Sequence, residues 1–199
     1  MKIIAIDPSY EDGGLGYAIL ESPEKLLLWG TTHSDAPKDA PFEQKVAAAL
    51  VVLERDILHC GLMGERGRLV IEMPEVWGGF KAAMSTKTGV LHKLFFFVGA
   101  LWQWGRERQL SPVLIPVREW KGQLPKEVTR KRVEDTFGIK TKNTHEADAI
   151  GLGLYYLKKA TQNDNTGILQ GASRMQPLQG ASTRSELSAS KRGTRPSER

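Results

Sequence analysis

A single cysteine, Cys60, in 199 residues excludes a disulfide framework and a Cys-rich zinc module, so packing must hold the fold and a reducing cytosol suits it. Long apolar runs are also missing. The richest, Val90 to Trp104, is interrupted by His92, Lys93 and Gln103, and MKIIAID reaches an aspartate after a few apolar residues. Neither a signal peptide nor a membrane span is expected. Charge of one sign is not in great excess: the net value is +5, and residues 161–199 hold six Lys/Arg against three Asp/Glu. A mildly basic body with a basic tail is compatible with a polyanionic partner without requiring one. What remains is 40% hydrophobic and 26% charged residues, the profile of a soluble globular domain with a core.

From Thr161 onward the chain is Gln, Asn, Ser, Gly, Thr and Arg with scattered Leu, Ile and Met. Such a segment buries too little apolar surface to offset its chain entropy, so 161–199 reads as a disordered basic tail. The pentapeptide LQGAS occurs at 169–173 and 178–182, far too short a unit for a repeat architecture. Residues 1–160 read as the folded domain. KIIAID, LGYAIL and KLLLWGTT are strand candidates, the first two separated by a Gly-rich turn. Val46, Leu50, Leu53 and Ile57 form a helical stripe within 42–60, and RLVIE at 68–72 is a short buried strand. A long helix over 86–107, a buried strand at 112–117 and helices over about 125–136 and 144–160 follow, with Pro125 at the start of the first and Asn143 or Thr144 capping the second. Strand hairpins first, then alternating helices and strands, predict an α/β domain with a mixed central sheet.

Asp7 closes the first strand and Glu72 the strand at 68–72. If those strands are neighbours, both carboxylates reach one edge of the sheet, where α/β folds place their sites. His145 and Asp148, three residues apart at the start of the last helix, share one of its faces. Together the four offer oxygen and imidazole ligands, and paired carboxylates suit magnesium or manganese. Each acid taken singly is equally compatible with a solvated strand end or a favourable helix first turn. Together they are harder to dismiss, because all three adjoin apolar runs, IIAI, LVI and AIGLGL, where unpaired charge is penalised.

At these residues the chain resembles the RuvC family of Holliday junction resolvases, in the ribonuclease H-like superfamily, and its phage-type members in particular. The matching segments are IIAIDPSYEDGGLGYAIL at 3–20, LVIEMP at 69–74, VGAL at 98–101, VREWKGQLPKEV at 117–128 and HEADAIGLGLYYLK at 145–158. Their order spans about residues 1–160. The resemblance implies a five-stranded mixed sheet flanked by helices and a homodimer in the cytoplasm of a bacterial or phage-infected cell. It also implies hydrolysis of four-way branched DNA by paired symmetric nicks. Asp7, Glu72 and Asp148 become acidic ligands for two Mg2+ or Mn2+ ions, with His145 as fourth site residue where many members have another aspartate, either ligating a metal or relaying the proton of the attacking water. Lys121 and Lys126 fall where the family places lysines near the cleaved strand. Phe80, Lys81 and Lys87 lie in the segment that approaches the junction, an aromatic to stack on a splayed base and two cations for phosphates; Trp77, in the same segment, is as compatible with a place in the core. Ser9, where Gly is common, and the additional acids Glu11 and Asp12 depart from the family pattern. The helix at 88–104, with Leu91, Leu94, Phe95, Val98, Leu101 and Trp102 as its stripe and Phe96, Phe97 and Trp104 around it, carries more apolar surface than one sheet face needs, which suits a dimer seam or simple burial. Three other readings share these residues: another ribonuclease H-like nuclease acting on RNA–DNA hybrids or as a transposase fragment, a non-catalytic DNA-binding module, and an actin-like ATPase, which would need a second such domain.

Overall fold

The computed structural model describes residues 2–9, 14–59, 67–75 and 89–171. Its elements in chain order are β1 (Ile3–Pro8), β2 (Leu15–Ser22), β3 (Lys25–Thr32), α1 (Phe42–His59), β4 (Arg68–Met73), α2 (Val90–Glu107), β5 (Ser111–Pro116), α3 (Val117–Trp120), α4 (Lys126–Phe137) and α5 (Thr144–Gly171). The five strands form one sheet in the order β3-β2-β1-β4-β5. The first three make an antiparallel meander, while β4 pairs parallel with β1 and β5 parallel with β4. This is the mixed five-stranded sheet the sequence predicts.

The two-residue period of each strand sorts side chains between two cores. Ile4 and Ile6 of β1, Leu15, Tyr17 and Ile19 of β2 and Leu69 and Ile71 of β4 face the layer of α1 and α2. Ile3 and Ala5, Ala18 and Leu20, and Val70 face the layer of α4 and α5. Continuing the alternation by one step puts Asp7 and Glu72 on the α5 side, and the parallel register Ile6↔Ile71 makes them neighbours. Both acids are therefore consequences of strand phase.

Two glycines bring α5 down onto the sheet. A Cβ on Gly16 would lie 2.2 Å from the His145 carbonyl oxygen, and one on Gly153 would lie 2.5 Å from Leu20 Cδ1. Any side chain at position 16 would push the first turn of α5 away from β2. On the opposite face, α1 presents Val46, Ala49, Leu53 and Ile57 to the core, close to the predicted stripe. The Tyr17 hydroxyl donates to Asp56 at 3.2 Å, and the guanidinium of Arg108 pairs with Glu54, tying α1 to the sheet and to the end of α2.

Two differences from the sequence reading have physical causes. Helix α5 runs to Gly171 instead of stopping near residue 160, since extending a packed helix needs no new nucleus even after apolar periodicity ends. Residues 172–199, the rest of the expected tail, lie outside the described residues. On α2 the buried side is Phe97, Val98, Leu101, Trp104 and Gly105, so Phe97 and Trp104 belong to the core stripe and Phe95 is displaced from it. Phe95 and Phe96 remain 38% and 50% exposed.

The close approach at Gly16 and the open surface at Gly99 predict opposite signs for the same substitution. Gly16→Ala should cost about 1–3 kcal/mol of unfolding free energy through overpacking. Gly99→Ala, in a helix interior where an added Cβ meets nothing within 4 Å, should gain about 0.5–1 kcal/mol. Urea unfolding of both variants checks this.

Candidate active site

One cavity of about 560 Å³ is lined by Asp7, Glu72, Lys121, Lys126, His145 and Asp148 among others. Strands β1 and β4 bring Asp7 and Glu72. The first turns of α5 bring His145 and Asp148, and the segment after α3 brings Lys121. Asp7 and Asp148 are only 5% and 7% exposed, so their charges sit largely out of water.

Each acid has one oxygen engaged by a protein donor. His145 Nδ1 stands 2.7 Å from Asp7 Oδ2, Lys121 Nζ donates to Asp148 Oδ1 at 2.5 Å, and Trp120 Nε1–H donates to Glu72 Oε2 at 3.0 Å. The remaining imbalance is visible in the protonation equilibria. Burial pushes the Glu72 carboxyl well above the usual carboxylate range, and the charges of Asp7 and Asp148 push it further. Burial also raises Asp148, against the opposing hydrogen bond from Lys121. The hydrogen bond to Asp7 raises His145 and favours its cation.

The start of α5 is held by a polar clamp. Asn143 Oδ1 accepts from the Glu146 backbone N–H at 3.0 Å, settling the cap at Asn143 rather than Thr144. The Glu146 carboxylate, 2% exposed, accepts from the Lys142 N–H at 2.7 Å and from the Thr31 hydroxyl at 3.1 Å. Asn143 Nδ2 in turn donates to Thr31 Oγ1 at 2.9 Å. His145, between the two clamp residues, is thereby aimed at Asp7.

Of the site residues expected from sequence, Asp7, Glu72, His145, Asp148, Lys121 and Lys126 are brought together. Phe80, Lys81 and Lys87 lie outside the described residues, as do Trp77, Glu11 and Asp12. Sequence reasoning missed Trp120 as the partner of Glu72 and Glu146 as a clamp. The Asn-x-x-Glu spacing of 143–146 is a capping-box signal that would have found the second; the first depends on how α3 packs.

Three carboxylates in one cavity are the hard oxygen donors that magnesium and manganese prefer. Their mutual repulsion, seen at Glu72, is what a divalent cation relieves. The donor set fits such a metal in chemistry. Among the described residues no three His, Cys, Asp or Glu side chains stand in ligand geometry about one point, and Lys121 and His145 supply the local positive charge.

No protein family and no curated protein matches the chain. Among solved structures it is similar to Thermus thermophilus RuvC, at 16% identity and a TM-score of 0.60, with 82% of this chain and 97% of that one covered. It is likewise similar to T. thermophilus RuvC in complex with Holliday junction substrate, at 18% identity and a TM-score of 0.63, covering 82% and 96%. At these identities the likeness establishes the fold, a ribonuclease H-like sheet flanked by helices. No helix among the described residues is long and apolar enough to cross a membrane.

The Lys121–Asp148 pair, with side chains 10% and 9% exposed, predicts that Lys121→Met destabilises the protein by about 3–5 kcal/mol, because a buried carboxylate loses its partner. Adding Asp148→Asn should recover much of that loss, so a double-mutant cycle in urea checks the coupling.

Proposed function

We propose that the chain is a metal-dependent endonuclease that resolves four-way DNA junctions by paired symmetric nicks. The observation that supports this most is the convergence of Asp7, Glu72 and Asp148 with Lys121 and His145 in one cavity of a ribonuclease H-like fold. Branched DNA as substrate rests on the similarity to a RuvC solved on a Holliday junction. Asp7, Glu72 and Asp148 would hold two Mg2+ or Mn2+ ions, which when bound supply charge stabilisation for an in-line phosphodiester displacement.

The chain's own residues orient the strand and handle the proton. Lys126, exposed at the start of α4, and Lys121, at the wall, offer cations to the phosphate. Asp7 holds His145 through Nδ1, which leaves Nε2 to exchange a proton with an attacking water. The clamp at Asn143 and Glu146 keeps that imidazole in place.

Paired nicks need two sites related by a twofold axis, so the active species is a homodimer. The exposed Phe95 and Phe96 of α2 are the apolar surface offered to the seam. A nuclease for RNA–DNA hybrids would use the same acids and is separated by substrate choice.

Asp7→Asn, Glu72→Gln and Asp148→Asn should each lower cleavage of a four-way junction at least about a hundredfold, while junction binding survives or tightens as repulsion is relieved. Matched four-way, splayed-arm, linear duplex and RNA–DNA hybrid substrates in magnesium make the measurement, and native-rate nicking by Asp7→Asn would remove the metal-site reading. In the same proteins, divalent metal at about 100 times its dissociation constant should stabilise the native fold by about 2.7 kcal/mol and the substituted ones by less, as read by thermal unfolding. Phe95→Glu should shift the native protein toward monomer in sedimentation velocity.

A further inference from the structure

A second cavity of about 570 Å³ lies beside the acid site, between the segment after α3 and the facing sides of α4 and α5. Lys121 and Leu124 line both cavities. Trp120 stands at the boundary: its indole N–H reaches Glu72, while the ring lines the second cavity and its Cζ3 would meet a Cβ on Gly151 at 2.9 Å. The hydrolytic reading leaves this space without a use.

Its lining has two chemistries. Leu124, Val133, Leu154, Trp120 and Tyr155 make an apolar and aromatic wall. Around it stand Lys121, Arg132 and Lys158, against the single acid Asp135. Arg132 and Lys158 are exposed and make no ion pair among the described residues. Tyr155 is held in position by its hydroxyl, which donates to Glu119 at 3.1 Å. The volume falls in the range of about 300–1,000 Å³ typical of small-molecule sites.

We infer that this cavity is a nucleotide subsite: the aromatic and apolar wall takes one unpaired base and the cationic rim takes its phosphate. Aromatic side chains accept any base face without sequence preference, and Arg and Lys secure the backbone. A purely apolar ligand would leave Arg132 and Lys158 of the rim unpaired, and a bare anion would leave the wall unused. A nucleoside phosphate uses both. It comes either as an unpaired nucleotide of a strand passing the acid site through the shared Lys121, or as a free nucleotide. The subsite goes beyond the nuclease reading and does not require cleavage.

The test is fluorescence anisotropy of the full chain with a 5′-labelled single-stranded hexathymidylate, in EDTA at fixed ionic strength. Arg132→Glu reverses a charge at the rim. Arg130→Glu makes the same change on α4 at a residue that does not line the cavity and that instead faces Glu134 at 3.8 Å. Thr136→Trp fills the cavity from an exposed position without changing charge. Arg132→Glu and Thr136→Trp are each expected to weaken binding about tenfold or more, the scale of a lost stacking or phosphate contact, and Arg130→Glu much less. Equal losses from Arg130→Glu and Arg132→Glu would reduce the effect to general electrostatics and overturn the subsite, as would native binding by Thr136→Trp. If Thr136→Trp does not fold, as circular dichroism would show, the arginine pair decides alone. Competition by thymidine monophosphate assigns the free nucleotide as sufficient; its failure to compete with binding that still depends on Arg132 assigns the strand. Junction cleavage by the native protein in magnesium is scored separately, so absent cleavage with Arg132-dependent binding sinks only the nuclease reading, and cleavage without that dependence sinks only the subsite.

Discussion

Like charge lining one poorly hydrated cavity is the constraint around which this fold is arranged. Asp7, Glu72 and Asp148 occupy one cavity at the ends of apolar strands and beside the first turns of α5, where water screens them poorly. Burial first, and the neighbouring carboxylates after it, push Glu72 and Asp148 upward. Lys121, His145 and the Trp120 indole each offset part of that charge, one donor per acid. Because the offsets come from α3, the loop after it and α5, those elements must sit tightly against the sheet edge. The glycines at 16 and 153 serve that demand by removing the side chains that would hold α5 away.

Much of this was legible in the sequence because strand alternation and helix spacing are local properties. Two-residue phase placed Asp7 and Glu72 on one face once β1 and β4 were neighbours, and a three-residue spacing placed His145 with Asp148. The α1 stripe was read correctly for the same reason. On α2 the pattern was less decisive, since apolar residues surround much of that helix and burial depends on which side the sheet takes. Phe97 and Trp104 won the core, leaving Phe95 and Phe96 outside it.

What escaped the sequence reading is long-range and polar. Trp120 and Glu72 are 48 positions apart, and Thr31 meets Glu146 across 115. No periodicity encodes such pairs. They arise because a buried carboxylate must find donors from whatever chain packs beside it. Glu146 illustrates the ambiguity well: in sequence it is one more acid in a helix's first turn, and only the fold shows it accepting from Lys142 and Thr31 while its neighbour His145 faces the acids.

The same economy explains why Trp120 matters more than its position on a four-residue helix suggests. Its indole N–H balances Glu72 on one side, its ring bounds the adjacent basic and aromatic cavity, and Lys121 Nζ lies 5.4 Å from its ring centroid while bonded to Asp148. A shift of this ring would therefore alter two of the three acids at once, through Glu72 directly and through Lys121 to Asp148. Rigid packing makes such a shift costly: the ring is wedged against Gly151, where even a methyl group would collide. Close packing of α3 on α5 thus fixes the electrostatics of the acid cavity together with the shape of the cavity beside it.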